Sequence, residues 1–239
     1  MLKYFYLYSA VLFLTDFTVP VKTAYLKKPC EDFSEECLTK TLQMGLPIFV
    51  EGIREIGLES LDPYRIEKLN LKMPGDMNIE FKHGVARGLK KCRVDFARYK
   101  DHVFETQFHC NLTIKGHYRS VGRFLMFAID GDGKSIIKCS NIRLHAFLTI
   151  KPMTGKDGMS HLEVTSSNFT HSYDGRVTYS VTNLLKGNPE ISNAVVNFMN
   201  ENWRMVAEDF GDPIVHYGIS AVMKNLKKFF EVVPLEEII

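Results

Sequence analysis

The side chains able to do covalent or metal chemistry are few and scattered. The chain holds eight histidines and five cysteines. None of the histidines stands at metal-ligand spacing from a second ligand on one strand or helix face. No C-x-x-C, H-E-x-x-H or G-x-S-x-G pattern and no phosphate-binding glycine loop occurs. Asp130-Gly131-Asp132-Gly133 begins like a calcium loop, but the third oxygen ligand and the closing glutamate are missing, so it reads as a turn. Strand parity puts His109 and His145 on outward faces, as solvated polar positions. The residue types therefore predict no catalytic residue, no metal, no cofactor and no enzyme.

The N-terminus and two sequons point instead to export, into an oxidising compartment where five cysteines would leave one unpaired if all disulfides are internal. Residues 4–14 form an apolar run after Lys3, the pattern of a secretory signal peptide, which predicts a leader over residues 1–24 and a mature chain from 25 to 239. The run is shorter than the roughly 20 residues that a membrane span needs, so no stable membrane insertion is expected. Asn111-Leu112-Thr113 and Asn168-Phe169-Thr170 both fit the glycosylation acceptor pattern. Cys30 and Cys37 are close enough to staple the entering chain to a first helical turn, a closure worth roughly 2.5 kcal/mol.

Charge narrows the partners. The formal net charge is +2, far too small for a phosphate-binding footprint, so nucleic acid is excluded as a partner. Lys224, Lys227 and Lys228 form the tightest basic cluster. They read as the wet face of the last helix, with a lipid-headgroup patch as the alternative.

The elements that would position any site follow from periodicity. Leu38, Leu42, Leu46, Phe49 and Ile53 recur at helical spacing after the candidate caps Asp32 and Ser34, with Pro47 expected to bend or restart the helix. From 66 to 184 the pattern changes to alternating runs broken by glycine, the mark of an antiparallel sheet with one buried face. The clearest hairpin spans 89–114. With Lys100 and Asp101 at its turn, Cys92 pairs with Cys110, Val94 with Phe108 and Phe96 with Thr106 on one face. Lys91 with Asn111, Arg93 with His109 and Asp95 with Gln107 fill the other. One register thus predicts a Cys92–Cys110 bridge, leaves Cys139 free, and sets Asn111 outside. Past Asn188-Pro189, an N-cap with proline at the first position, helical stripes run through Ile191, Val195 and Phe198, and again beyond Gly211-Asp212-Pro213. A long apolar stripe has to be covered, and the inner face of the sheet is the economical partner. The arrangement is α+β.

At this point the residues resemble a known family, the insect takeout and juvenile-hormone-binding proteins. The resemblance rests on Pro29-x7-Cys37 with Cys30 between; on residues 52–58 leading into Leu61-Asp62-Pro63; on Lys115-Gly116-His117-Tyr118; on Asp130-Gly131-Asp132-Gly133; and on residues 183–188 followed by 198–203. It implies a long C-terminal helix wrapped by a strongly curved antiparallel sheet, enclosing an apolar tunnel of the tubular lipid-binding type. It also implies a secreted, extracellular carrier of juvenile hormone, a related terpenoid or a fatty acyl compound, as in haemolymph. The hormone-binding subgroup carries a second disulfide reaching the long helix. No cysteine lies beyond Cys139 here, which sets this chain with the takeout-like members and speaks against juvenile hormone itself.

The expected function is transport of a small hydrophobic ligand by a monomer; the alternative is a module that binds lipid surfaces. Parity places Tyr118 in the tunnel, either as a polar tip for the ligand or as a core residue satisfied by backbone. Phe49, Val94, Phe108, Leu144 and Phe198 are expected as the apolar wall.

Overall fold

The structure is a computed structural model that describes Cys30 and residues 33–238. The leader, its cleavage point and the candidate cap Asp32 lie outside the described residues.

Helix α1 spans Glu35–Glu51, capped by Ser34, whose Oγ accepts from the Cys37 amide. Cys37 is bridged to Cys30 with Cα atoms 5.8 Å apart. The helix continues through Pro47 without a restart. One lost backbone donor is tolerated because α1 is held from outside. It lies along strand β3 (Arg93–Lys100), and its polar side chains reach that strand's backbone. Gln43 donates to the Cys92 carbonyl at 3.1 Å and accepts from the Val94 amide at 2.8 Å, and Thr39 accepts from the Ala97 amide at 2.8 Å. An edge strand with unpaired backbone groups is a liability, and α1 removes it.

The remaining strands are β1 (Tyr64–Met73), β2 (Met77–Arg87), β4 (Val103–Phe124), β5 (Phe127–Thr154), β6 (Ser160–Tyr173) and β7 (Val177–Val181). They form one antiparallel sheet in the order β1-β2-β4-β5-β6, with β3 on β4 and β7 on β5. Three helices follow: α2 (Pro189–Glu201), α3 (Trp203–Phe210) and α4 (Asp212–Val232). The predicted cap holds, since Asn188 Oδ1 accepts from the Ile191 amide at 3.0 Å. The long C-terminal helix is therefore three consecutive helices that break at Asn202 and Gly211. Helix α4 packs against both β6 and β1. Because those are the two ends of the strand order, a sheet touching α4 at both must curl around it. The sheet is not closed, and the arrangement is the expected α+β fold.

Three local readings need correction. The β3–β4 turn falls at Asp101-His102, both with positive φ (52° and 65°), the pattern of the two-residue hairpin turn whose twist suits flanking strands. The expected pairing of Val94 with Phe108 and Arg93 with His109 is present, but the register shifts at Asp95. Beyond this bulge Phe96 faces Gln107 and Ala97 faces Thr106, so Ala97 takes the buried position and Phe96 turns outward beside His145. Lys91 lies in a 3-10 turn ahead of β3 and does not pair with Asn111.

The third correction concerns residues 130–133, which form no turn. They lie inside β5, paired with β4 from Val121 to Tyr118. Their glycines answer a tertiary need. A Cβ on Gly133 would sit 2.2 Å from the Thr182 carbonyl oxygen, and one on Gly131 2.7 Å from that of Leu184. The segment after β7 crosses the sheet here, with an isolated bridge from Asp130 to Leu185, and only glycine lets it approach.

Candidate functional site

The inner face of the sheet is set by parity. Along β4 the even-numbered residues Phe108, Cys110, Leu112, Ile114, Tyr118 and Ser120 all face one cavity. On β5 the facing residues are odd from Ile129 to Cys139 and even from Ile142 to Ala146. The switch occurs at a bulge where Ser140 and Asn141 oppose Asn111 alone, an extra residue that changes the face. Asn111 Oδ1 closes the bulge by accepting from the Asn141 amide at 2.8 Å.

The cavity has a volume of about 390 Å³. Sheet, α1, α3 and α4 all contribute to its wall, which is overwhelmingly apolar. One end, near the β1–β2 and β4–β5 turns, is shut by Met73, Met77, Phe124 and Phe210, each under a tenth exposed. The other end, between α1 and the start of β1, has partly exposed walls at Leu46, Phe49, Tyr64 and Leu89, with Arg87 exposed at its rim. Arg87 carries the only charged side chain in the described wall.

The site residues expected from sequence divide. Phe49, Phe108, Tyr118 and Leu144 line the cavity. Val94 is buried but lies on β3 beneath α1, away from that wall. Phe198 packs edge-on to Phe127, with ring centroids 6.2 Å apart, and does not line the cavity either. Val94 and Phe198 stand apart from this wall because spacing along a strand or helix names a face without saying what covers it. Cys92 and Cys110 are bonded, with Cα atoms 4.4 Å apart, and both line the cavity, whereas Cys139 lines it as a free thiol. Asn111 and Asn168 are both exposed.

The wall holds polar groups that sequence reading missed, among them Ser120, Ser135, Tyr173, Tyr179 and the Tyr64–Tyr217 pair, whose hydroxyls lie 3.4 Å apart. Ser120 was within reach of the β4 parity. Several titratable groups of the wall are held in their neutral form. Burial pushes the Tyr118 phenol up to about 12 and the Cys139 thiol up to about 11. Burial also raises Tyr173 and Tyr179, and burial with the Tyr64 hydroxyl lifts Tyr217 to about 12. A wall with no ionised group deep inside suits a neutral, apolar occupant.

The outer face carries His109 and His145. His109 is not a loosely solvated residue. Its Nδ1 meets Asp95 Oδ2 at 2.5 Å and its Nε2 meets Asp174 Oδ2 at 2.9 Å, and Arg143 bonds the other Asp174 oxygen at 2.7 Å. His145 pairs with Glu105 at 2.9 Å. These pairs tie the outer surfaces of neighbouring strands together, away from the cavity.

The fold can be set beside those of known proteins. Residues 8–239 match the model of the haemolymph juvenile hormone binding protein family. The chain belongs to that family. Its structure is similar to that of Takeout 1 from Epiphyas postvittana, with a TM-score of 0.83 and 31% identity, over 88% of this chain and 98% of that one. It is also similar to the circadian clock-controlled protein daywake of Drosophila melanogaster, 20% identical over 88% of this chain and 85% of the relative. The daywake protein of Drosophila yakuba is 21% identical over the same shares. Among the described residues no helix is long and apolar enough to cross a membrane.

Proposed function

We propose that this member of the juvenile hormone binding protein family is a secreted, monomeric carrier that encloses one small hydrophobic molecule, a terpenoid or fatty acyl compound, in the cavity between sheet and helices. The observation that carries the reading is the cavity itself. Its volume of about 390 Å³ falls in the range of small-molecule sites, roughly 300–1,000 Å³, and its wall offers apolar enclosure with a few neutral hydroxyls. Binding without turnover needs no cofactor and no metal, and the reading assigns none.

For a ligand of about 20 heavy atoms at roughly 0.3 kcal/mol per atom, enclosure gives about 6 kcal/mol. That corresponds to a Kd on the order of tens of micromolar, tighter where the fit is close. Export fits the two disulfides and the exposed sequons. The test is saturable, one-to-one displacement of a polarity-sensitive fluorophore by terpenoid esters and fatty acyl compounds, with the same protein assayed for flotation with vesicles. Displacement without flotation is expected; flotation without displacement would favour a lipid-surface module.

A further inference from the structure

Among the described wall residues, the Ser120 hydroxyl is singular. Ser120 is 2 % exposed and lines the cavity, and its Oγ makes no hydrogen bond and has no surface open to water on any side, so a ligand oxygen meets it once the side chain turns about χ1. Leaving a buried hydroxyl unmatched costs about 1–3 kcal/mol, and alanine would fill the same position without that cost. The neighbouring inward hydroxyl is not in this state, because Tyr118 donates to the Thr182 carbonyl at 2.9 Å. We propose that Ser120 is the polar end-point of the cavity, binding an uncharged oxygen, hydroxyl or carbonyl, at one end of a long hydrophobic ligand. The proposal rests on the carrier reading and specifies the chemistry and direction of the ligand.

The direction follows from the two ends of the wall. Ser120 pairs with Ile79, and Arg87 pairs with Thr113, so the two stations lie seven residues apart along β4, roughly 23 Å at about 3.3 Å per residue. Ser120 lies toward the shut end, opposite Ile79 and four residues before Phe124 on the same face of β4, where the described wall holds no cation to balance a carboxylate. An ionised head buried there would be unpaired, which is far costlier than an unpaired hydroxyl. A ligand with a neutral oxygenated head therefore enters head first and reaches Ser120. A fatty acid leaves its carboxylate at the Arg87 rim and sends its alkyl end inward.

The experiment compares wild type with Ser120→Ala for three probes of one chain length: hexadecanol, hexadecane and palmitate. Ser120→Ala should weaken hexadecanol about fivefold, the size of one neutral hydrogen bond, and leave hexadecane and palmitate within twofold. The ligand-free variant should melt no lower than wild type, since it loses no bond. Unchanged hexadecanol affinity would overturn the proposal and show a hydroxyl satisfied by water. A lower melting temperature with all three affinities unchanged would overturn it as well, by showing a partner within the protein. If wild type binds none of the three, the carrier reading falls first and takes this proposal with it.

Discussion

The Tyr118 hydroxyl donates to the carbonyl oxygen of Thr182 at 2.9 Å, which ties the middle of β4 to the segment that crosses the sheet after β7. The ring lines the cavity while its polar tip is already used. Sequence parity left two roles open, and this contact speaks for the structural one. Tyr118→Phe should cost about 1–2 kcal/mol of stability, because the Thr182 carbonyl loses its donor, with little change in ligand affinity. Thermal melts and probe displacement on the same preparation check this. A tenfold affinity loss at unchanged Tm would return the hydroxyl to the ligand.

The Cys92–Cys110 bridge closes an 18-residue separation between the residue ahead of β3 and the middle of β4, and both cysteines line the cavity. Replacing both with alanine should cost about 3 kcal/mol, a fall in Tm of roughly 6–12 °C for a chain of this size. Cys139 should react slowly with iodoacetamide until the protein unfolds, since burial holds its thiol near 11 and the thiolate is the nucleophile. Rapid native labelling, or a peptide map joining Cys139 to Cys92 or Cys110, would contradict the pairing.

Acid should loosen the outer face. Hydrogen bonds from His109 and Arg143 hold Asp174 at about 2, against about 3.9 for an unfolded aspartate. A depressed carboxylate contributes stability above the unfolded value and loses it as pH falls toward the folded one. Stability should therefore decline between about pH 4 and pH 2. Asp174→Asn should be less stable at neutral pH and flatter across that window. Parallel urea melts at pH 6 and pH 3 read the difference; identical acid loss in both proteins would remove Asp174 from the account.

Both sequons should be accessible to glycosylation. Asn168 is exposed on β6, and Asn111 is exposed while its Oδ1 is held by the Asn141 amide, so the glycan would attach through a side chain already fixed in place. Intact mass after secretion from insect cells should exceed the mature polypeptide and fall on enzymatic deglycosylation. A chain still carrying Met1 and no glycan would contradict export.

What was legible in the sequence was what local periodicity encodes. The even-numbered face of β4, the helical stripes, the Asn188 cap and the first pairs of the β3–β4 hairpin all follow from spacing alone. What was hidden depends on contacts distant in sequence. Asp130-Gly131-Asp132-Gly133 looks like a turn, and its glycines are required only because residues 182–185 pass over them. The bulges at Asp95 and Asn141 reverse parity, and no local residue announces them. Val94 faces inward as its spacing says, but α1 covers it, and Pro47 stays helical because α1 is held by β3.

The central claim is that the cavity, and no outer surface, holds the ligand. Ile114 lies on the inner face of β4 and lines that cavity, so Ile114→Trp adds an indole into its open space. Wild type and variant should be compared in one titration of a fluorescent hydrophobic probe, with far-UV circular dichroism to verify the fold. The account predicts a folded variant whose affinity falls at least tenfold. A folded variant that binds as wild type does would place the ligand elsewhere.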